Sequence, residues 1–359
     1  MRRRAALVLL ASAAFCVALA PLFREFVFPR LVANTLAGED AYRVTVSQAD
    51  NATVVGDPNG PGKGKATIVR TVRPDAGAGD DGTVVWDISL TVTDSAGTVV
   101  TRIPERYAFD AVTQNPDDCC AESVDGKPAA HVGVRYKWPY FVQKRGYNYF
   151  DPQTGTAATI HYKGTETLDG LTVYRFEHEV PWTRAGIPRL PGGVNPAEIE
   201  AAGMERWFTG TRSILVEPVT GLPVYAEERR TEELRTPNPD DPANPGRFVL
   251  FDGHVKMTAE SSDELVADAR EQKSWLLLVH DRLPLGLVVA GVLLFLTALL
   301  TEYLGRRKAG DADGGIRDPA AEADPSPDQV PAAEVDFDPA EPAHDDTLTL
   351  SAATRADDG

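Results

Sequence analysis

Leu283 to Leu304 reads LPLGLVVAGVLLFLTALLTEYL, with no charged residue before Glu302, and Arg306, Arg307 and Lys308 follow at once. At about 1.5 Å of rise per residue, this stretch reaches roughly 33 Å as a helix, which matches the hydrocarbon core of a bilayer. It predicts a transmembrane helix over 283–304, and the basic triplet behind it predicts that this end is cytoplasmic. What precedes it is then expected outside the membrane, and residues 305–359 inside.

The N-terminus carries the opposite signal. Arg2, Arg3 and Arg4 lead into Ala5 to Phe23, where Ser12 is the only clearly polar residue. A basic head, an apolar body and small residues at Ala18 and Ala20 have the layout of a secretory signal. A cut after Ala20 would place Pro21 directly beyond the scissile bond, so an uncleaved signal anchor at 5–23 is favoured over a removed peptide, with residues 1–4 cytoplasmic. Two helices of opposite direction thus bracket an extracytoplasmic domain at 24–282, held in an inner membrane.

Inside that bracket the hydrophobic period changes. Thr83 to Thr93 places Val84, Trp86, Ile88, Leu90 and Val92 on one face and Asp87, Ser89, Thr91 and Thr93 on the other, the pattern of a half-buried strand. Asp94 to Gly97 supply turn residues, and Thr98 to Ile103 returns as a hairpin partner. The same alternation appears in Tyr42, Val44 and Val46, in Val132, Val134, Tyr136 and Trp138, and in Tyr174, Phe176 and His178. It recurs in Leu222, Val224 and Ala226 after the turn Glu217 to Gly221. The expected fold is a mainly β (α+β) domain of about ten to twelve antiparallel strands.

Pro29, Asn34 and Gly38 are expected to interrupt the approach to this domain. Gly56 to Lys65, Arg184 to Ala197 and Thr236 to Gly246 read as irregular, and a division into two lobes near residue 185 is compatible with the second of these. Pro196 to Arg206 reads as a short helix capped by Asn195. Ser261 and Glu264 have capping-box spacing, so 262–281 reads as an amphipathic stalk helix that runs into the second span, with a bend near Pro284.

The formal charge of -17 over 359 residues is concentrated at one end. From Ala309 onward 14 Asp or Glu stand against Arg317 and Arg355, a net of -12, which leaves only -5 for the remainder. That tail, poor in aromatics, is expected to be disordered. No large basic block exists to meet phosphate backbones, which argues against nucleic acid as a partner.

Motifs for chemistry are missing. The six histidines are scattered, with no His-x-x-x-His and no Cys-x-x-Cys, so no metal site is expected. No Gly-x-Ser-x-Gly elbow, Ser-x-x-Lys or phosphate-binding glycine loop occurs, and neither an enzyme nor a cofactor is predicted. Cys119 and Cys120 are adjacent; a vicinal disulfide is favoured, with a bridge to another molecule or free thiols as the alternatives. The densest aromatic run is Tyr136 to Phe150, YKWPYFVQKRGYNYF. Its rings either fill the core of a hairpin turning at Arg145-Gly146 or form a ligand surface. On the second reading Trp138, Tyr140, Phe141, Lys144, Arg145, Tyr147 and Tyr149 would receive an acyl chain, a sugar or an anionic head group.

The segments VWDISLTVTDSAG, RYAFDAVT, GVRYKWPYFVQKRGYNYFD, GLTVYRFEHEV and RSILVEPVTGLPVYAEE, with the flanking helices, resemble an actinobacterial membrane protein family of unknown function that goes under the name porin PorA. The resemblance spans most of residues 1–305. It implies a cell-envelope protein and transfers no catalytic residue. A pore is disfavoured, because a membrane barrel needs an apolar outer band and faces such as Asp87, Ser89, Thr91 and Thr93 are too polar for lipid. The leading expectation is a two-span membrane protein whose β-rich domain binds an envelope lipid or glycolipid without catalysis. A scaffold that docks membrane protein partners through domain and tail is the alternative.

Overall fold

The computed structural model describes residues 2–54, 63–80, 82–187, 195–236 and 246–313. Much of the three irregular stretches and nearly all of the acidic tail lie outside the described residues. Met1–Arg306 form one compact unit, and of the second, Arg307–Gly359, only the last helical residues are described.

At the N-terminus, α1 (Arg2–Leu22) passes through a π-helical turn, Phe23–Val27, into α2 (Phe28–Ala37). Pro29 and Asn34 therefore do not interrupt the approach as the sequence suggested. The wide turn puts Pro29 in the first turn of α2, where its missing N–H is least felt. Gly38 does end the helix, its N–H donating to the Asn34 carbonyl at 3.0 Å. The chain's other end follows the same plan: α4 (Ala259–Leu277), a π-helical turn at Leu278–Arg282, then α5 (Leu283–Asp313). Pro284, where a bend was expected, stands in the first turn of α5 directly after this π-helical turn. Both composite helices, Arg4–Ala37 and Ala259–Leu304, are long and apolar enough to cross a membrane.

The two apolar helices pair through small residues. Ala6, Ala13 and Ala20, seven apart, are buried with Ala298, while Leu7, Phe15, Leu293 and Leu296 point outward. A Cβ on Gly291 would lie 2.8 Å from Val17 Cγ2 and 3.0 Å from the Ala13 carbonyl oxygen, so glycine allows the closest approach and any larger residue needs Val17 and the helix to give by a few tenths of an ångström. In lipid, where burial of apolar surface gives helices no reason to associate, such close packing is what holds a pair.

Between the helices, twelve strands among the described residues form one sheet. They are β1 (Arg43–Val54), β2 (Lys63–Pro74), β3 (Thr83–Thr93), β4 (Val99–Asp110), β5 (Ser123–Val124), β6 (Lys127–Pro128), β7 (Tyr147–Asp151), β8 (Thr156–Leu168) and β9 (Leu171–Ala185). After α3 (Pro196–Ala201) come β10 (Glu205–Val216), β11 (Pro223–Thr236) and β12 (Gly246–Met257). The order is β6-β5-β4-β3-β2-β1-β12-β11-β10-β9-β8-β7. Two antiparallel meanders thus meet along β1 and β12, with Ser47 opposite Met257 and Val54 opposite Phe251. Strands on both sides of residue 185 belong to this one sheet.

That order places the ends of the connection from β6 to β7 at opposite edges of the sheet. Residues 129–146 make the crossing, and they contain neither the strand expected at Val132 to Trp138 nor the hairpin expected at Arg145-Gly146. Val134 instead brackets β7, its N–H donating to Asn148 O at 2.8 Å and its carbonyl accepting from Phe150 N at 3.1 Å. Further on, Trp138 N donates to Gly221 O at 2.8 Å and Val142 N to Pro218 O at 2.7 Å. Gly221, at φ +70°, leaves this space: a Cβ there would stand 2.1 Å from the Trp138 carbonyl oxygen. Burial falls on neighbours such as Val134 and Arg135, or Lys137 and Trp138, because the crossing is enclosed on more than one side. A single buried face would have kept the two-residue period.

Both helices rest on the sheet before they reach their apolar parts. Phe28, Val32 and Leu36 of α2 pack with Val84, Trp86 and Ile88 of β3 and Tyr107 and Phe109 of β4. Trp86 Nε1 donates to the Leu36 carbonyl at 3.0 Å. Leu265, Val266 and Ala269 of α4 join Val173, Leu215, Val224 and Met257. Each large apolar side chain so buried contributes about 1.5–3 kcal/mol. The cap of α4 is Thr258, whose Oγ1 accepts from Ser261 N, rather than Ser261 itself. Ser261 Oγ accepts instead from Val46 N at 2.9 Å, and Ser262 Oγ donates to Val224 O at 2.9 Å, which ties the helix to β1 and β11.

Candidate functional site

The inward faces of β1 to β4 and β10 to β12, with the crossing segment and Leu265 of α4, line a partly open cavity of about 150 Å³. Strand parity decides its character. On β11 the inward set runs Val224, Ala226, Glu228, Arg230; on β10 it runs Val216, Ile214, Arg212, with Arg212 in register with Glu228. On β2, Ile68 and Val72 flank Arg70. One part of the wall is therefore apolar, with Ile88, Val255, Met257 and Leu265, and another is lined by guanidinium and carboxylate groups.

The charged part is a continuous stack. The Arg70 guanidinium lies 5.5 Å from the Tyr136 ring centre and that of Arg135 4.5 Å from the same ring. Arg135 lies 5.8 Å from the Tyr149 ring, and Arg212 5.3 Å from it. Cations and phenol rings thus alternate across the interior, an arrangement that the ring quadrupole favours. Arg135 Nη1 donates to the Tyr149 hydroxyl at 2.9 Å, and the Tyr136 hydroxyl donates to Glu105. Beyond Arg212, which meets Glu228 at 2.5 Å and Asp151 at 3.7 Å, come Arg230 and then Arg206, which shares Glu232 with it at 2.6 Å.

Burial disfavours charge on these groups, and their neighbours outweigh it. Glu105 is held below the usual carboxylate range because the charge of Arg135 and hydrogen bonds from His131 and Tyr136 overcome its desolvation. Asp151 is lowered likewise, chiefly by Arg212 against its burial. His131 lies between Glu105, at 3.2 Å from Nε2, and Glu122, at 3.0 Å from Nδ1. Those two bonds overcome burial and raise its pKa above the ordinary 6.5. Lys137 is the opposite case: buried, near Arg43 and with no carboxylate partner among the described residues, it is driven well below the ordinary lysine value by its burial.

The residues picked out in the aromatic run separate in the structure. Trp138, Tyr140, Tyr147 and Tyr149 are buried, Phe141 is half-buried, and Lys144 and Arg145 are exposed. Of these, only Trp138 and Tyr149 line the cavity. Tyr140 and Phe141 face the helices, the latter with its ring centre 4.1 Å from that of His280. Cys119 and Cys120 are joined to each other, next to β4, where Arg106 Nε donates to the Cys120 carbonyl at 2.8 Å. Among the described residues no group of His, Cys, Asp and Glu is arranged to hold a metal ion.

Sequence reasoning missed Arg70, Arg135, Arg212 and Glu105. Their parity with apolar strand residues was visible, as in Arg212 with Ile214 and Val216, but a charge in an inward position reads as an error of register unless its partner is known.

A β-rich domain that lines a mixed cavity and is carried on two paired apolar helices defines a class of membrane-associated protein. The profile of the Porin PorA family matches residues 5–300, and the chain belongs to that family. A Porin PorA of Corynebacterium amycolatum is 26% identical over 167 residues, covering 36% of this chain and 43% of that relative. One of Corynebacterium resistens is 42% identical over 53 residues, 15% of this chain and 13% of the relative. The chain thus matches less than half the length of either relative.

Proposed function

We propose that this is a two-span membrane protein, both termini cytoplasmic, whose extracytoplasmic β domain binds the head of an envelope lipid or glycolipid without catalysis. The observation that carries the reading is the cavity: about 150 Å³, apolar on one side, charged on the other, and walled partly by Leu265 of the helix that continues into the second apolar span. A cavity of about this size admits a benzene ring, so it suits a compact head group or one sugar ring, with acyl chains left in the bilayer. The relatives' name, porin, finds no support in the strand geometry: the end strands β6 and β7 are not paired with each other among the described residues.

The test is native mass spectrometry of the full chain released from nanodiscs that contain an envelope lipid extract. The expected result is retention of a lipid class selected by head group, and loss of that retention in Ala226→Phe, which fills the cavity from β11. Retention that ignores head group, or that Ala226→Phe leaves intact in a folded protein, refutes the reading.

A further inference from the structure

We infer that the cavity takes one negative charge, a singly charged oxyanion such as a phosphodiester, and that a lipid head group carries it. This rests on the head-group reading above and names the chemistry of the group bound. Among the described residues Arg70 Nε and Arg212 Nη1 are buried without a hydrogen-bond partner, Arg135 Nε and Arg230 Nε have only ion-pair contacts of 3.7 Å to Glu105 and 3.4 Å to Glu232, and all four side chains line the cavity. Donors left idle around one space are what an absent acceptor would satisfy.

The charge balance gives the number. Arg135 meets Glu105; Arg212 meets Glu228 and Asp151; Arg230 and Arg206 share Glu232, and Arg230 also reaches Glu228. Arg70 has no carboxylate partner among the described residues. In register beside it stand Thr45 on β1 and Leu90 on β3, both uncharged, and its one described side-chain contact is the Tyr136 ring. Arg135, Arg206, Arg212 and Arg230 are matched by Glu105, Asp151, Glu228 and Glu232, and His131 by Glu122; of the two other charged residues that line the cavity, Arg43 meets Asp268 at 3.3 Å and Glu227 meets His254 at 3.1 Å, so among the described residues Arg70 is the lining cation that no carboxylate meets. A guanidinium presents a planar fork of donors suited to an oxyanion, and Thr45 adds a hydroxyl on the same face.

The experiment uses the full chain in a neutral maltoside detergent and reads dissociation constants from the fluorescence of Trp86 and Trp138, which line the cavity. The probes are dihexanoylphosphatidylglycerol, dihexanoylglycerol with the same chains and no phosphate, and glycerophosphoglycerol with the phosphodiester and no chains. The expected result is at least tenfold tighter binding of the phosphatidylglycerol than of dihexanoylglycerol. Arg70→Gln removes that preference, Arg70→Lys keeps part of it, and Thr45→Asp, which sets a carboxylate opposite Arg70, removes it as well. A tenfold preference that survives in both Arg70→Gln and Thr45→Asp overturns the inference. Equal binding of both lipids by the unaltered chain overturns it too and leaves the head-group reading standing. If glycerophosphoglycerol binds as tightly as the lipid, the anion site stands and its lipid source is overturned. If no probe binds, both readings fall.

Discussion

Replacing Trp138 by Ala tests whether the crossing segment holds the domain together. Trp138 is fully buried, with its ring centre 5.4 Å from that of Phe176 and 6.1 Å from that of Tyr149. Truncating a buried Trp to Ala costs about 3–5 kcal/mol in lost transfer energy and cavity formation. Here a relief acts against it, because the indole Nε1–H has no partner, and an unpaired buried donor carries about 1–3 kcal/mol of penalty that truncation removes. The main-chain bond to Gly221 is untouched. With the relief at its smaller value of about 1 kcal/mol, the expected net loss is about 2–4 kcal/mol. At about 2–4 °C per kcal/mol for a domain of this size, the melting temperature falls by about 4–16 °C. Trp138→Phe keeps much of the ring packing while removing the idle donor, so its loss is about 1 kcal/mol or less. The assay is thermal unfolding of the full chain in detergent, followed by near-ultraviolet circular dichroism. A Trp138→Ala protein that melts within about 2 °C of the original refutes the argument that the crossing is structural. Trp138→Phe losing as much as Trp138→Ala would mean that the indole N–H is satisfied.

The His131 latch has a defined pH signature. Its pKa is raised, so its stabilisation is complete below the unfolded value of about 6.5 and is lost as pH rises through the folded value. The melting difference between the original chain and His131→Gln should shrink from pH 6 towards pH 9, and a difference that grows over that range contradicts the assignment. Arg206→Met removes the partner that meets Glu232 at 2.6 Å and donates to the Gln153 and Gly186 carbonyls. It should cost about 1–3 kcal/mol, because it leaves Glu232 with Arg230 as its remaining cation and takes a donor from two carbonyls, and Arg206→Met with Glu232→Leu should recover part of that in urea titrations. A double variant no more stable than the single one would discount the pair. The helix pairing has a covalent test: a Cβ on Gly291 lies 3.4 Å from the Cβ of Cys16, close to disulfide reach. Gly291→Cys should therefore crosslink to Cys16 within one chain on mild oxidation, seen by mass spectrometry of the proteolysed protein, and a failure to crosslink would exclude this seam.

Some of this architecture was legible from the amino acids because a single buried face leaves a plain record. The strand read at Thr83 to Thr93 is β3 with those limits, and Asn195 accepts from Ala197 N at 3.1 Å as the cap of α3. The turn from Glu217 to Gly221 and the return through Val224 were equally plain, since Gly221 answers a backbone requirement. The crossing was not legible: Val132, Val134, Tyr136 and Trp138 alternate in sequence, yet the segment is wrapped by neighbours and its period means nothing. Pro29 misled for a related reason, since a π turn absorbs what an α-helix would not tolerate. The candidate site was the least legible part. Arg70, Arg135 and Arg212 sit on three distant stretches, and only the folded order of the strands brings them to one stack.

The order of the strands also sets the order of assembly. Each meander is built from neighbours in sequence, but β1 acquires its second neighbour only when β12, the last of the described strands, has been made. Until β9 and β10 arrive, Trp138, Tyr147 and Tyr149 have no Phe176 or Ile214 to cover them. A chain halted before Met257 is thus not a smaller form of this domain. It is a half sheet with bare rings and an unpaired edge, the kind of surface that other chains can pair with.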